Sequence, residues 1–288
     1  MAIGTNNNLV QPFLKWAGGK RQLLPEIRKY IPQSINTYYE PFIGAGAVLF
    51  DLQPKKAVIN DVNIELVNIY HVVKHNVDEL IDTLKKHENG NESDYFYAIR
   101  CLDRNKEEYT QLSAVEKAAR MIYLNKTCFN GLFRVNSKGQ FNVPFGKYKN
   151  PQIVNENILR AVHTYLSTND VTILNRDFSD VTAPAEKGDF VYFDPPYDPL
   201  SDTSSFTSYS LDGFRKEDQI RLRDTFAELD KKGCKVLLSN SATDFIKDIY
   251  SDFHIEIVSA TRNINSVASK RGKIDEVLVM NYEPNENR

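Results

Sequence analysis

Phe190-Val191-Tyr192-Phe193-Asp194-Pro195-Pro196-Tyr197 is an apolar run that ends in an acid, two prolines and an aromatic ring. Four consecutive apolar β-formers read as a strand buried on both faces, as in a parallel sheet covered by helices. Such a strand delivers the next few residues to the crevice at its carboxyl end, where open α/β sheets bind ligands. The Asp194 carboxylate can accept a hydrogen bond from an amino group. The prolines have no N–H, so the turn offers carbonyl oxygens as further acceptors. Tyr197 adds a flat face on which a planar base can stack. Together these groups suit a flipped nucleobase whose exocyclic amine is to be alkylated. The tetrapeptide alone is also compatible with a plain strand-ending turn, and the rest of the chain decides between the two.

Outward from this motif, short β-rich runs alternate with helical stretches, the pattern of a mostly parallel sheet with helices on both faces. Strands are expected at 37–42, 57–60, 171–174, 190–193, 235–239, 254–258 and 276–281. Helices should follow Gly46, Asp61 and Phe214. The last should gather Ile220, Leu222, Phe226 and Leu229 near one side and stop at Gly233. From 65 to 165 no strand of the same sheet is evident. That interval reads as helices, with capping boxes at Asn76…Glu79 and Ser113…Glu116, then a Gly/Asn-rich, aromatic and basic stretch. The expected division is a catalytic domain of residues 1–64 and 166–288 with a helical insert at 65–165.

The 288 residues, 41% of them hydrophobic, suffice for one large α/β core with an insert. No apolar run reaches membrane length, and the polar start does not read as a signal peptide. Cys101, Cys128 and Cys234 are odd in number and far apart, which points to a reducing cytoplasm rather than to disulfides or a zinc cluster. His71 and His75 lack the glutamate of a zinc helix, so no metal is assigned. The net charge of −2 does not mark a nucleic-acid binder, but its distribution does. Residues 121–149 hold Lys126, Arg134, Lys138, Lys147 and Lys149 without one acid, and 261–273 hold Arg262, Lys270, Arg271 and Lys273, again without one. Two acid-free basic stretches in an acidic chain fit a localised phosphate footprint.

Upstream, Glu40-Pro41-Phe42-Ile43-Gly44-Ala45-Gly46 joins a strand to a helix through a glycine turn that lets a ligand approach the backbone. Leu49 replaces the third glycine of a dinucleotide fingerprint, and Gly18-Gly19-Lys20 lacks the rest of a P-loop. Asp61 ends the second strand, where an acid chelates ribose hydroxyls, although a helix N-cap would also suit it. A nucleoside without a phosphate cradle fits S-adenosylmethionine, its methionine end at the glycine turn and its ribose at Asp61.

Phe13-Leu-Lys-Trp-Ala-Gly-Gly-Lys20, Glu40 to Gly46, Asn60-Asp61, Asn130-Gly-Leu-Phe-Arg134 and Asp194-Pro-Pro-Tyr197 occur in this order. The set closely resembles the Dam-type DNA adenine-N6 methyltransferases, which include the modification enzymes of GATC-specific restriction systems. The resemblance spans residues 11–282 and implies a Rossmann-like methyltransferase sheet with an inserted helical target-recognition domain. It implies S-adenosylmethionine contacts for Trp16, Lys20, Asp61 and Asp194, a pocket wall from Glu40, Pro41, Phe42, Gly44 and Gly46, and an adenine site at Asp177 and Phe178. Phe178 reads almost as well as core. The turn Ile43-Gly44-Ala45-Gly46 departs slightly from relatives that carry more glycine or a valine there.

The catalytic set is then Asp194, Pro195, Pro196 and Tyr197. Asp194 and the Pro195 carbonyl would accept the two N6 hydrogens of adenine, so that the nitrogen pyramidalises toward the methyl group without a covalent enzyme intermediate or a metal. The partner is double-stranded DNA, and no membrane. Arg134 suits a major-groove guanine, because its planar fork matches O6 and N7. The resemblance adds Leu132 and Pro144 beside a thymine methyl, Asn130 as a contact, Phe129 as an inserted ring and Lys15 as a reader of the first guanine. Lys15 reads equally as a structural ion-pair member. Lys126, Asn136 and Lys147 complete the expected DNA face, Lys147 as a phosphate contact. Loops 198–213 and 261–273 would close over the DNA or serve as plain surface. Expected alternatives are cytosine-N4 methylation, which the aspartate before Pro-Pro disfavours, and an inactive DNA-binding scaffold. A restriction endonuclease of the same system would act separately, in the cytoplasm of a bacterium or from a phage gene.

Overall fold

The computed structural model describes residues 6–16, 18–200, 213–261 and 273–283. Among these, seven strands form one sheet: β1 (Tyr38–Glu40), β2 (Lys56–Asn60), β3 (Asp170–Leu174), β4 (Phe190–Phe193), β5 (Lys235–Ser241), β6 (His254–Thr261) and β7 (Lys273–Met280). Their order is β3-β2-β1-β4-β5-β7-β6. The first five are parallel, and β7 runs antiparallel between β5 and β6. The chain moves outward from β1 to β3 and then returns to β4 on the other side of β1. The carboxyl ends of β1 and β4 therefore flank the point where strand order reverses, the usual ligand crevice of such sheets. This Rossmann-like α/β sheet is the fold class the sequence predicts.

Alternation along each strand divides the core between the two faces. Tyr38, Phe190, Tyr192 and Leu237 enter one cluster, whereas Tyr39, Val191, Phe193, Val236 and Leu238 enter the other. All four residues of β4 are buried, as an unbroken apolar run requires. The second face is covered by α10 (Lys216–Lys231), which buries Leu222, Phe226 and Leu229. Ile220 is the exception to the expected side and is 40% exposed. It stands about 200° around the helix from Leu222.

On the first face lie α1 (Leu24–Tyr30) and α2 (Ala47–Leu52), with the helices α3 (Ile64–His75), α4 (Val77–Asn89), α5 (Ser93–Cys101), α7 (Ala114–Thr127) and α8 (Glu156–Thr168), whereas the short α6 (Lys106–Gln111) buries no residue. No strand of the sheet falls within 65–165 among the described residues. One apolar cluster runs from Tyr38 and Ile59 through Leu66 and Val73 to Leu124, so sheet and helices share a core. Ser113 and Glu116 form the expected capping box at α7. Asn76 stands at the N-cap of α4 but does not form the expected capping box, since its side chain makes no cap hydrogen bond. Short α9 (Phe178–Thr182) and α11 (Asp244–Ile249) follow β3 and β5. No helix among the described residues is long and apolar enough to cross a membrane.

Strand ends differ from the expectation for local reasons. β1 stops before Pro41, which has no N–H for the ladder and whose carbonyl accepts from Asn60 Nδ2 at 2.9 Å. β5 runs two residues further, through Ser239-Asn240-Ser241, because β7 pairs with all three.

Candidate active site and DNA interface

Asp194 leaves β4 with its side chain 18% exposed. Its Oδ1 is held by Lys20 Nζ at 2.7 Å and by Ser239 Oγ at 3.1 Å. Ser239 in turn lies 3.0 Å from the buried Tyr192 hydroxyl. Oδ2 has no hydrogen-bond partner among the described residues, so the carboxylate keeps one oxygen for a ligand. Burial raises the Asp194 pKa, opposed by Lys20 and Ser239. The group is an anchored carboxylate of enhanced basicity.

Tyr197 is held at its hydroxyl, which donates to Glu276 Oε2 on β7 at 2.8 Å. Burial, with Asp194 and Glu276 nearby, pushes its phenol well above the ordinary range, so the ring is neutral. Lys20 Nζ lies 4.4 Å from the ring centroid. One buried ammonium thus faces both the acid and the aromatic ring of the turn. Pro196 O accepts from Gln219 Nε2 at 2.9 Å, whereas Pro195 O accepts from no described residue.

Across the crevice, Gly44 and Gly46 have φ of 50° and 71°. A Cβ on Gly46 would come within 2.8 Å of the Tyr70 hydroxyl and 2.9 Å of the Phe50 ring, so the turn requires glycine for space as well as for conformation. Tyr70 donates to Gly44 O at 2.9 Å and fixes the turn from beneath. Glu40 is buried, and its Oε2 accepts from Tyr38 and from Leu49 N in the first turn of α2. Burial pushes this carboxyl well above the usual range. Glu40 therefore does the capping that Gly46, without a side chain, cannot do.

Asp61 Oδ2 accepts from Gly44 N at 3.1 Å and Oδ1 from Asn63 N at 2.9 Å, which ties the second strand to the glycine turn. Burial raises its pKa to about 6 against these backbone hydrogen bonds. The helix N-cap is Asn63, whose Oδ1 accepts from Glu65 N and Leu66 N, and not Asp61. Asp177 caps α9 and pairs with Arg221 at 2.7 Å. Burial acts against its charge, but Arg221 and Ser179 outweigh it and hold the carboxyl low. Phe178 is buried against Phe42 and Phe214, under the Arg221 guanidinium, in the second core cluster.

Trp16, Lys20, Glu40, Gly44 and Asp194 line one cleft, with Asp61 behind the glycine turn. A glycine turn beside an indole, an ammonium and a buried acid is a donor and acceptor set that fits S-adenosylmethionine. The basic stretch adjoins it. Trp16 stacks on Phe133 with centroids 5.1 Å apart, and Lys15 is tied to α7 by Asn125, which accepts from Lys15 N at 2.9 Å and donates to Lys15 O at 2.7 Å. Bridges Cys128↔Phe145 and Val135↔Phe141 close the stretch into a hairpin. Asp103 and Arg104 grip both backbone groups of Phe141, at 2.8 and 2.6 Å.

On this hairpin Phe129, Asn130, Arg134, Pro144 and Lys147 are exposed and Leu132 is half-buried. Asn130 adopts the left-handed conformation, φ 57°, that asparagine tolerates. Arg134 Nε donates to Asn142 Oδ1 at 2.7 Å, leaving its terminal fork outward. Asn136 spends its side chain on the hairpin tip, accepting from Lys138 N and Gln140 N. Burial, with Lys15 and Arg21 nearby, lowers Lys126 to about 8. Lys15, Trp16, the hairpin and the Asp194 turn thus share one side of the molecule through Lys20 and Phe133.

Sequence reading missed Ser239, Glu276, Gln219, Asn240 and Asn125. The available signal was Ser239-Asn240-Ser241, a polar run at the carboxyl end of a buried strand. Most of loops 198–213 and 261–273 lies outside the described residues.

Residues 16–264 match the family described as D12 class N6 adenine-specific DNA methyltransferase. The chain is 50% identical over 273 residues to the Type II methyltransferase M1.LlaDCHI of Lactococcus lactis subsp. cremoris, covering 95% of this chain and 96% of that protein. It is 45% identical over 292 residues to the Type II methyltransferase M.MjaIII of Methanocaldococcus jannaschii, covering 95% and 99%. To the DNA adenine methylase of Serratia marcescens the identity is 35% over 272 residues, covering 93% and 97%.

Proposed function

The chain belongs to the D12 class of N6 adenine-specific DNA methyltransferases, and from that premise we propose that it methylates adenine within GATC in duplex DNA by base flipping, with S-adenosylmethionine as donor, as the modification enzyme of a restriction system. The observation that carries this reading is the Asp194–Tyr197 turn at the topological switch point. One carboxylate oxygen and one proline carbonyl lack partners there among the described residues, beside a fixed aromatic ring. In this reading residues 65–165 form the target-recognition domain, and 1–64 with 166–288 the catalytic domain. The relatives named Type II methyltransferases support the restriction context, and any cognate endonuclease would act without a stable complex.

The N6 lone pair of adenine is delocalised into the ring, so the amine is a poor nucleophile. Asp194 Oδ2 accepts one N6 hydrogen and the Pro195 carbonyl the other, which turns the lone pair out of the ring plane. Tyr197 stacks on the extruded base, which inside a duplex is out of reach. Once nitrogen has attacked, Asp194 Oδ2 takes the surplus proton, a task its raised basicity favours. S-adenosylmethionine supplies a methyl group on a sulfonium that is already a good leaving group. Lys20 and Trp16 would hold its methionine end against the glycine turn, and Asp61 would receive its ribose hydroxyls. Asp177 and Phe178 would border its adenine. Orientation and electrostatics provide the acceleration.

Two measurements bear on these assignments. With 2-aminopurine at the target adenine, fluorescence should rise on binding, and Tyr197→Ala should diminish the rise. An unchanged signal in the variant contradicts stacking. Asp61 must be ionised to receive both ribose hydroxyls. With its pKa at about 6, S-adenosylmethionine affinity should be level above pH 7 and fall as pH drops through 6. By linkage the loss should reach about tenfold at pH 5. Calorimetry on Asp61→Asn should show a flat profile, and an unchanged slope in that variant contradicts the role.

A further inference from the structure

Gln219 in the first turns of α10 and Asn240 near the end of β5 are 1% and 0% exposed. Asn240 Nδ2 donates to Gln219 Oε1 at 3.0 Å, and Gln219 Nε2 donates to Pro196 O at 2.9 Å. Asn240 Oδ1 accepts from Asp198 N at 3.0 Å and from Ser241 N at 2.8 Å. The two amides therefore grip the chain on both sides of Tyr197, at the carbonyl before it and the amide after it. Pro195 and Pro196 have no N–H, so this stretch lacks donors with which to hold itself. A side-chain amide both donates and accepts in one plane, which lets two of them bridge helix, strand and turn.

We infer that the Asn240–Gln219 pair is a positioning device for methyl transfer. By occupying the Pro196 carbonyl and the Asp198 amide it fixes the turn so that Asp194 Oδ2 and the Pro195 carbonyl converge on one amine. The inference rests on the function proposed above. Neither residue touches cofactor or DNA in that reading. Their loss should therefore slow the chemical step and spare binding, since a misplacement of about 1 Å costs on the order of 10²-fold in rate.

The test is single-turnover methylation of a GATC duplex by full-length wild type, Gln219→Leu and Gln219→Glu, with Kd for DNA and for S-adenosylmethionine. Gln219→Leu keeps the volume but cannot donate to Pro196, and the single-turnover rate should fall 10- to 100-fold with both Kd values within twofold. Gln219→Glu can donate only when protonated, in which form it copies the amide. Its rate relative to wild type should be low at pH 8 and recover as pH falls. A purely structural role would not produce that recovery. The inference is overturned if Gln219→Leu keeps the single-turnover rate within threefold of wild type. It is also overturned if rate and both affinities fall together in both variants without a pH effect. Wild type that makes no N6-methyladenine overturns the proposed function and the inference with it. An active wild type with unimpaired variants overturns the inference alone.

Discussion

Asp194→Ala is expected to lower methyl transfer by at least 10²- to 10³-fold while DNA affinity changes little, because the substitution removes the acceptor for the amine and nothing on the hairpin. It also strips the ion-pair partner from Lys20, whose side chain is 7% exposed. Stranding one member of such a pair costs about 3–5 kcal/mol when it is fully buried. Asp194→Asn is therefore the cleaner variant. It keeps the shape of the turn and an acceptor for Lys20 or Ser239, but it cannot take the proton. Single-turnover rates of both variants, beside their DNA Kd, check this expectation. More than a few per cent of wild-type turnover in either would contradict the assigned role.

Arg134→Ala should act on specificity instead. Its guanidinium is oriented by Asn142 through Nε, which leaves the planar fork for a base edge. Loss of a bidentate guanine contact should cost about 1–3 kcal/mol at one base pair and relax discrimination there. Lys147, exposed at the far end of the hairpin, provides the contrast. Lys147→Ala should weaken all sequences alike and reduce the salt slope by about one. Methylation of duplexes substituted singly across the site separates the two patterns. A uniform loss for Arg134→Ala would make it a phosphate contact.

The fold and the chemistry were legible in the sequence to different depths. Phe190 to Phe193 declared a doubly buried strand, and the acid, prolines and tyrosine after it declared the crevice. Strand order was not legible, because pairing β4 beside β1 joins residues some 150 apart and leaves no local pattern. The partners of the catalytic turn share this property. Glu276 reaches Tyr197 across 79 positions, and Ser239 reaches Asp194 across 45. Asn125 holds Lys15 across 110. In the sequence their side chains cannot be told from polar residues that face solvent, because their partners arrive only when the sheet assembles. Local ambiguities were settled by tertiary context. Asp61 yields the cap to Asn63 because its own carboxylate is engaged by Gly44, and Ile220 is turned outward by the helical period. Asn240 and Ser241 lie past the expected strand end at 239 but continue β5, since β7 supplies the ladder.

The decisive measurement is transfer of labelled methyl from S-adenosylmethionine to duplexes carrying one GATC site or its scrambled counterpart, followed by digestion to nucleosides. Label in N6-methyladenine from the GATC duplex alone is the expected result. Label in N4-methylcytosine, label independent of GATC, or tight DNA binding without any transfer would contradict the proposed function.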